Sequence, residues 1–301
     1  MHHTRITIDR RQFTRVAAAG VGALLAPTVL RAAEEAKPYK FCAFIKFLQS
    51  LSYSELADAM AEAGFDGVEV TARRKDSYIQ PERAEEQLPK FVEELSKRGL
   101  EITILTTDLL RADEPHAERL LRTAAGLGVA RYRLGFFRYD LNQPVLPQLA
   151  ALQPAMRDFA AMNRELGIAA VYQNHSGADM VGATFWDVQS LIQDYPTSEI
   201  GSVFDIRHAT VEGGEAWPVY WNLMRPHVSA LSVKDFRWNG RKSQHVPLGT
   251  GQVDPRFFTM VQQSNFSGPI SVHVEYAGDQ SAAANVELIK KDFATLLKWL
   301  A

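Results

Sequence analysis

The chain is poor in cysteine: Cys42 is the only one among 301 residues. A single thiol excludes an intrachain disulfide framework and a multi-thiolate zinc site. An excess of positive charge is also missing. The 33 basic residues stand against 35 acidic ones, a formal net charge of -2, so bulk charge does not favour a nucleic-acid partner. No uninterrupted apolar run reaches the length of a transmembrane helix. No G-x-G-x-x-G motif follows the first apolar segment, which removes the usual mark of a dinucleotide-binding sheet. With 46% hydrophobic and 23% charged residues, the composition is that of a globular protein.

The N-terminus reads differently from the rest. Arg10-Arg11-Gln12-Phe13 sets a twin arginine ahead of an uncharged stretch, Val16 to Ala26, which Pro27 follows. That stretch has the length of a signal h-region and falls short of the about 20 residues that span a bilayer. Residues 1–33 therefore read as a twin-arginine (Tat) signal segment, with the Tat export machinery as partner and the periplasm as destination. Without that segment the chain loses five arginines and Asp9. It then holds 28 basic against 34 acidic residues, a charge of -6.

From residue 38 to 301, strand-like apolar runs alternate with helical patterns. The predicted strands are Lys40–Phe47, Gly67–Ala72, Glu101–Thr107, Arg131–Gly135, Ala169–Asn174, Ile200–Ile206, Val228–Lys234 and Pro269–Glu275. The predicted helices are Ser54–Ala63, Pro81–Arg98, Pro115–Leu127, Pro147–Leu166, Thr184–Asp194, Ala216–Met224, Pro255–Gln263 and Ser281–Leu300. Strands that alternate with helices pair in parallel through right-handed crossovers. Eight such units in a chain of this size predict an α/β protein, a single-domain (β/α)8 TIM barrel.

Active sites of such barrels lie at the C-terminal ends of the strands. Side chains alternate along a strand, so Ser271, His273 and Glu275 share a face, as do Ser232 and Lys234, Gln173 and His175, and Glu69 and Thr71. The polar faces should line the lumen, because the other faces pack on helices. Asp205-x-x-His208 sets a carboxylate and an imidazole at one strand end, ligand types that suit divalent ions. Glu275 and His245, the latter in the long loop before the last strand, are further candidate ligands.

Six segments carry a family resemblance. They are Gly64-Phe65-Asp66-Gly67-Val68-Glu69, Tyr172-Gln173-Asn174-His175, Phe204-Asp205-Ile206-Arg207-His208, Lys234-Asp235, Pro247-Leu248-Gly249-Thr250-Gly251 and His273-Val274-Glu275. Through them the chain resembles the sugar phosphate isomerase/epimerase family, the xylose isomerase-like barrels. The resemblance implies a divalent metal (Mn, Zn, Co or Mg) held by an acid on the fifth strand, Asp on the sixth, His on the seventh and Glu on the eighth. Asp205 and Glu275 match. Gln173 and Ser232 stand where the acid and the His would be, with His208, His175 or His245 as substitutes.

The resemblance further implies proton abstraction next to the carbonyl of a small carbohydrate or keto-sugar, as an isomerase or epimerase does, with the metal polarising the enediolate. Glu275 is then base or ligand. Lys234 stabilises the enediolate, or acts as acid if burial lowers its pKa. His175 and His273 shuttle protons, and Glu69, Arg133, Asn174 and His273 contact substrate. Two alternatives stay open: a lyase or hydratase of keto-glycosides on the same fold, and a carbohydrate-binding barrel without catalysis. The charge of -6 speaks against a nucleic-acid phosphodiesterase, which needs cations to neutralise phosphates.

Overall fold

Short strands alternate with helices throughout the computed structural model, which describes residues 39–301 apart from Asp76 and Asp279. The segment 1–33 read as a Tat signal lies outside the described residues. In chain order the first half comprises β1 (Phe41–Phe44), α1 (Tyr53–Glu62), β2 (Gly67–Ala72), α2 (Ala84–Ser96), β3 (Glu101–Thr107), α3 (Ala117–Gly126), β4 (Arg131–Arg133), α4 (Val145–Ala150) and α5 (Gln153–Leu166). The second half comprises β5 (Ala169–Gln173), α6 (Phe185–Ile192), β6 (Ile200–Asp205), α7 (Ile206–Gly213), α8 (Trp217–Met224), β7 (Val228–Val233), β8 (Asp235–Asn239), β9 (Lys242–Val246), α9 (Arg256–Gln262), β10 (Ile270–Val272) and α10 (Ala282–Trp299). Eight of the strands close a barrel in the order β1-β10-β7-β6-β5-β4-β3-β2, every neighbouring pair parallel. This is the (β/α)8 architecture that the alternation predicts. Among the described residues no helix is long and apolar enough to cross a membrane.

The pleat sorts each strand into two faces. Val68 and Val70 of β2 and Ile102 and Leu105 of β3 join Leu56, Met60, Leu88 and Phe91 of the helices in the core between barrel and helices. Ile104, Val171, Val203 and Ala230 form a separate apolar cluster inside the barrel. Two residues further along the same four strands come Thr106, Gln173, Asp205 and Ser232, all buried. The lumen therefore passes from an apolar plug to a polar mouth within one repeat of the pleat.

Local chemistry explains the element ends. Ser52 and Glu55 form a reciprocal capping box that starts α1. The single helix predicted over Pro147–Leu166 is two helices, because Pro154, which has no N–H to continue a helix, stands in the first turn of α5. Asp205 ends β6 and also caps α7, its Oδ1 accepting the backbone N–H of His208 at 3.1 Å. That cap creates a helix where the sequence pattern suggested only a strand end. The segment after β7, expected as loop, folds into the antiparallel hairpin β8–β9. Its tip is Gly240-Arg241, with Gly240 at φ 60, a value that glycine adopts without a Cβ clash. The first strand stops at Phe44, and Lys46 opens a 3-10 turn, Lys46–Leu48.

Candidate active site

At the C-terminal end of β7, Lys234 is buried between two carboxylates. Its Nζ lies 3.1 Å from Asp205 Oδ2 and 3.1 Å from Glu275 Oε1. Burial alone would lower its pKa; attraction to Asp205 and Glu275 outweighs burial and raises it. The expectation that burial lowers the Lys234 pKa and makes it an acid is therefore corrected: its two partners raise the pKa, and the lysine keeps its proton. Burial also pushes the Glu275 carboxyl up, but the charge of Lys234 and the His273 imidazole beside it hold it well below the usual range. The arrangement is a buried cation between two acids, one of them fully enclosed and the other partly open to solvent.

Three imidazoles flank this ion trio, and hydrogen bonds set two of their tautomers. His175 Nδ1 faces the carbonyl oxygen of Ser176 at 2.8 Å. A carbonyl only accepts, so Nδ1 carries the hydrogen and Nε2 presents a lone pair. His208 Nδ1 faces the backbone N–H of Ser176 at 3.1 Å and Arg207 Nη1 at 2.9 Å. Both only donate, so Nδ1 accepts and the hydrogen sits on Nε2, 3.7 Å from Asp205 Oδ2. His245 on β9 places Nε2 3.7 Å from Glu275 Oε2. Burial, then Lys234, pushes His175 down to about 4; burial, then Arg207, does the same to His245; His208 falls well below its ordinary value for the first of these reasons. All three rings are neutral at pH 7.

Below the mouth sits a second polar layer. Glu69 accepts from Thr106 Oγ1 at 2.6 Å, Ser271 Oγ at 2.7 Å and His273 Nε2 at 2.9 Å. His273 stacks on Phe44 with ring centroids 4.6 Å apart. Burial works against the Glu69 charge, but His273 and Arg133 hold its pKa well below the carboxylate range. Glu69 and His273, expected to contact substrate, bond to each other beneath the mouth, and His273 Nδ1 is left without a hydrogen-bond partner, 3.7 Å from Glu275 Oε1. Asn174, also expected there, uses both ends of its amide on the Asp205 backbone, accepting from N at 2.7 Å and donating to O at 3.0 Å. It ties β5 to β6. Arg133 is buried and donates through Nη1 to Gln173 Oε1.

The implied metal can be tested against these contacts. Arg133 only donates, so it fixes Oε1 of Gln173 toward itself and turns the Nε2 hydrogens toward Asp205 Oδ2, at 2.8 Å. Gln173 thus offers hydrogens, not a lone pair, to the pocket. The Nε2 lone pair of His208 is replaced by a hydrogen, and its Nδ1 is taken. Ser232 offers an unpartnered hydroxyl where an imidazole would be needed. Lys234 lies between the two acids that match the resemblance. Among the described residues no group of three His, Cys, Asp or Glu is arranged to hold an ion. Gln173, His208 and Ser232 do not fit the donor set of a divalent metal, and the lone pairs left on His175 and His245 stand beside acids that Lys234 already holds.

Asp235, next in sequence to Lys234, is architectural. Its carboxylate accepts five backbone N–H groups, from Phe236, Gly249, Gly251, Gln252 and Val253, at 2.8–3.0 Å. The Pro247-Leu248-Gly249-Thr250-Gly251 segment wraps this anion. A Cβ on Gly251 would collide with Phe236 O and Asp235 Oδ1. Lys46, Arg73 and Arg207 also reach the mouth; Arg73 and Arg207 follow predicted strands but were given no role. The signal for Lys46 was its place just after the first strand, hidden by extending that strand to Phe47. A cavity of about 450 Å³ beside Glu275 is lined by Asn239, Lys242, Ser243, Gln244, His245 and Tyr276. A larger one, about 850 Å³, opens at the opposite end of the barrel among Arg131, Ala169, Val228 and Gly268, away from the ion trio.

The profile of a family described as xylose isomerase-like TIM barrel matches residues 57–299. No curated protein matches the chain. Among solved structures, the probable 3-DHS dehydratase AsbF of Bacillus anthracis is similar at 14% identity, covering 86% of this chain and 98% of its own, with a TM-score of 0.65. The 3-keto-D-glucoside 4-epimerase YcjR of E. coli is similar at 14% identity, 87% and 99% coverage and a TM-score of 0.63. A xylose isomerase-like barrel of Mycobacterium smegmatis in complex with magnesium is similar at 16% identity, 87% and 98% coverage and a TM-score of 0.60. At such identities the likeness carries the fold.

Proposed function

The chain belongs to the xylose isomerase-like TIM barrel family, and on that footing we propose that it isomerises or epimerises a small carbohydrate or keto-sugar by removing a proton next to the carbonyl. The observation that carries this reading is the Asp205–Lys234–Glu275 trio at the C-terminal end of the barrel, beside the free Nε2 of His175. Lys234 stays protonated, so its N–H groups donate to the oxygen on which charge grows as the C–H bond breaks. Glu275 is ionised, and its side chain is 22% exposed, enough to meet a substrate. It accepts the proton; a substrate oxygen that draws Lys234 away from it makes it a stronger base. His175 Nε2 is the second acceptor. Return of the proton to the opposite face of the same carbon gives the epimer, and to the neighbouring carbon the isomer.

Lys234 supplies the positive charge beside the two acids, so no step of this mechanism runs through a metal. Elimination of a β substituent from the same enolate is the second reading, favoured by the His245 imidazole, whose Nε2 stands 3.7 Å from Glu275 Oε2. The partner is a small carbohydrate rather than nucleic acid. Residues 1–33 are proposed to send the protein to the periplasm through the Tat machinery; Arg10→Lys with Arg11→Lys should leave it in the cytoplasm on fractionation. The test of the reaction is a panel of ketoses, aldoses and 3-keto-glycosides in D2O, followed by NMR. Deuterium at the carbon next to the carbonyl supports the reading. Binding without exchange, elimination or isomer formation refutes it and leaves a carbohydrate-binding barrel.

A further inference from the structure

Three cations at the mouth have no anion of their own. Lys46 opens the turn after β1, Arg73 follows β2, and Arg133 ends β4. Among the described residues none of them makes an ion pair, whereas Arg74, beside Arg73, pairs with Asp108 at 3.0 Å and Lys234 pairs with two acids. Arg133 is only 5% exposed, and its Nε has no hydrogen-bond partner. Aromatic rings hold two of the three without neutralising them. Arg133 Cζ stands 5.1 Å from the Phe136 centroid and 5.8 Å from that of Phe44; Lys46 Nζ stands 4.8 Å from Phe47 and 5.8 Å from Phe44.

The carboxylates within their field have closer partners of their own: Glu69 bonds to Thr106, Ser271 and His273 and feels Arg133 only through space, Asp108 pairs with Arg74, and Asp205 and Glu275 pair with Lys234. Burial above all lowers the pKa of Lys46 and takes Arg73 down to about 10; repulsion from Arg73, Lys234 and Arg133 at Lys46, and from Arg133 at Arg73, adds to it against the pull of the surrounding acids. Half-desolvated cations that repel each other are costly unless an anion joins them. We propose that the mouth binds an anionic group of its substrate, a carboxylate or a phosphate, between Lys46, Arg73 and Arg133. The proposal rests on the mouth being the substrate site of the reaction above, and it narrows the substrate to an acidic or phosphorylated sugar.

Calorimetry of the full chain with glucuronate, glucose 6-phosphate and glucose tests it. At least one anion should bind about tenfold or more tighter than glucose, a gap that one charge-assisted contact provides. Raising the salt should shrink the gap. Lys46→Gln and Arg73→Gln should each weaken that anion about fivefold to tenfold and leave glucose unchanged, with melting temperatures close to that of the parent. The two anions tell carboxylate from phosphate. No preference for either anion overturns the proposal, as does a preference that both variants retain. The D2O exchange experiment separates the two readings. Anion binding without exchange keeps this site and removes the proton abstraction. Equal exchange rates for neutral and acidic keto-sugars do the reverse.

Discussion

The floor and the mouth of the barrel each hold a buried carboxylate beside a histidine, and they differ in what is left over. At the floor, Glu69 has three donors at 2.6–2.9 Å and is 1% exposed. At the mouth, Asp205 and Glu275 share one lysine, His175 Nε2 is free, and Ser232 Oγ and His208 Nε2 lack partners. Glu69 and Asp205 are buried alike, whereas the Glu275 side chain is 22% exposed, and at the floor the enclosed Nδ1 of His273 goes without a partner. What separates an architectural cluster from a chemical one is the unsatisfied valence that a ligand can reach.

Lys234→Ala should strike the mouth hardest. It leaves two acids facing each other without a cation, and breaking such a buried pair costs about 3–5 kcal/mol. Urea unfolding should register the loss, and Lys234→Arg should recover part of it; an unchanged midpoint for the alanine variant would break the contrast. Glu275→Gln keeps the shape and removes the base, so turnover on a confirmed substrate should fall by about 10²–10⁴ while circular dichroism stays the same. Retained turnover would move the base elsewhere.

Glu69→Gln probes the floor. It should lower stability by about 1–3 kcal/mol through unsatisfied donors, while turnover per folded molecule changes little. A collapse of turnover with stability intact would make the floor part of the chemistry. Acid sharpens the same contrast. His175 and His245, held at about 4 in the folded state, bind fewer protons than in the unfolded chain, where they take up protons near 6.5. Stability should therefore fall as pH drops from about 6.5 to 4. Asp292, pushed up to about 7 by burial, acts with the opposite sign, so the thermal shift of His175→Gln relative to the parent isolates the imidazole. The smallest effect is expected from Mn²⁺, Mg²⁺ or a chelator: no change in melting temperature and no stoichiometric ion by mass spectrometry, the same as in Asp205→Ala. One ion per chain, lost in that variant, would return Asp205 to the role of ligand.

The fold was largely legible. Helices that stop at Gly64, Gly99, Gly128 and Gly167 and runs with a two-residue period between them are local signals, and β2 and β3 span the residues that the pattern delimits. The hairpin was missed: Asn239-Gly240 between alternating residues is a turn signal, but the apolar side of its strands is sparse. The helix α7 was hidden because one aspartate serves both strand and cap. At the site, the pleat placed Glu69, Gln173, Asp205, Ser232, Lys234 and His273 in the lumen. It could not tell which contacts each would make. Glu69 meets a histidine 204 positions away, and Lys234 an acid 41 positions away. Such pairings, and hence the charge balance at the mouth, depend on closure of the barrel rather than on neighbours in sequence. The Asp235 cradle shows the same limit: Lys234 and Asp235 stand in succession, and each turns to a different distant segment.

Lys234 has one more consequence. A bound ion is lost on dilution, competes with other ions and depends on supply, since its occupancy follows its free concentration. An ammonium attached through its own side chain has full occupancy at any dilution. On the reading proposed here, the charge that organises Asp205 and Glu275 is installed by translation itself, needs no loading step, and has no dissociation constant.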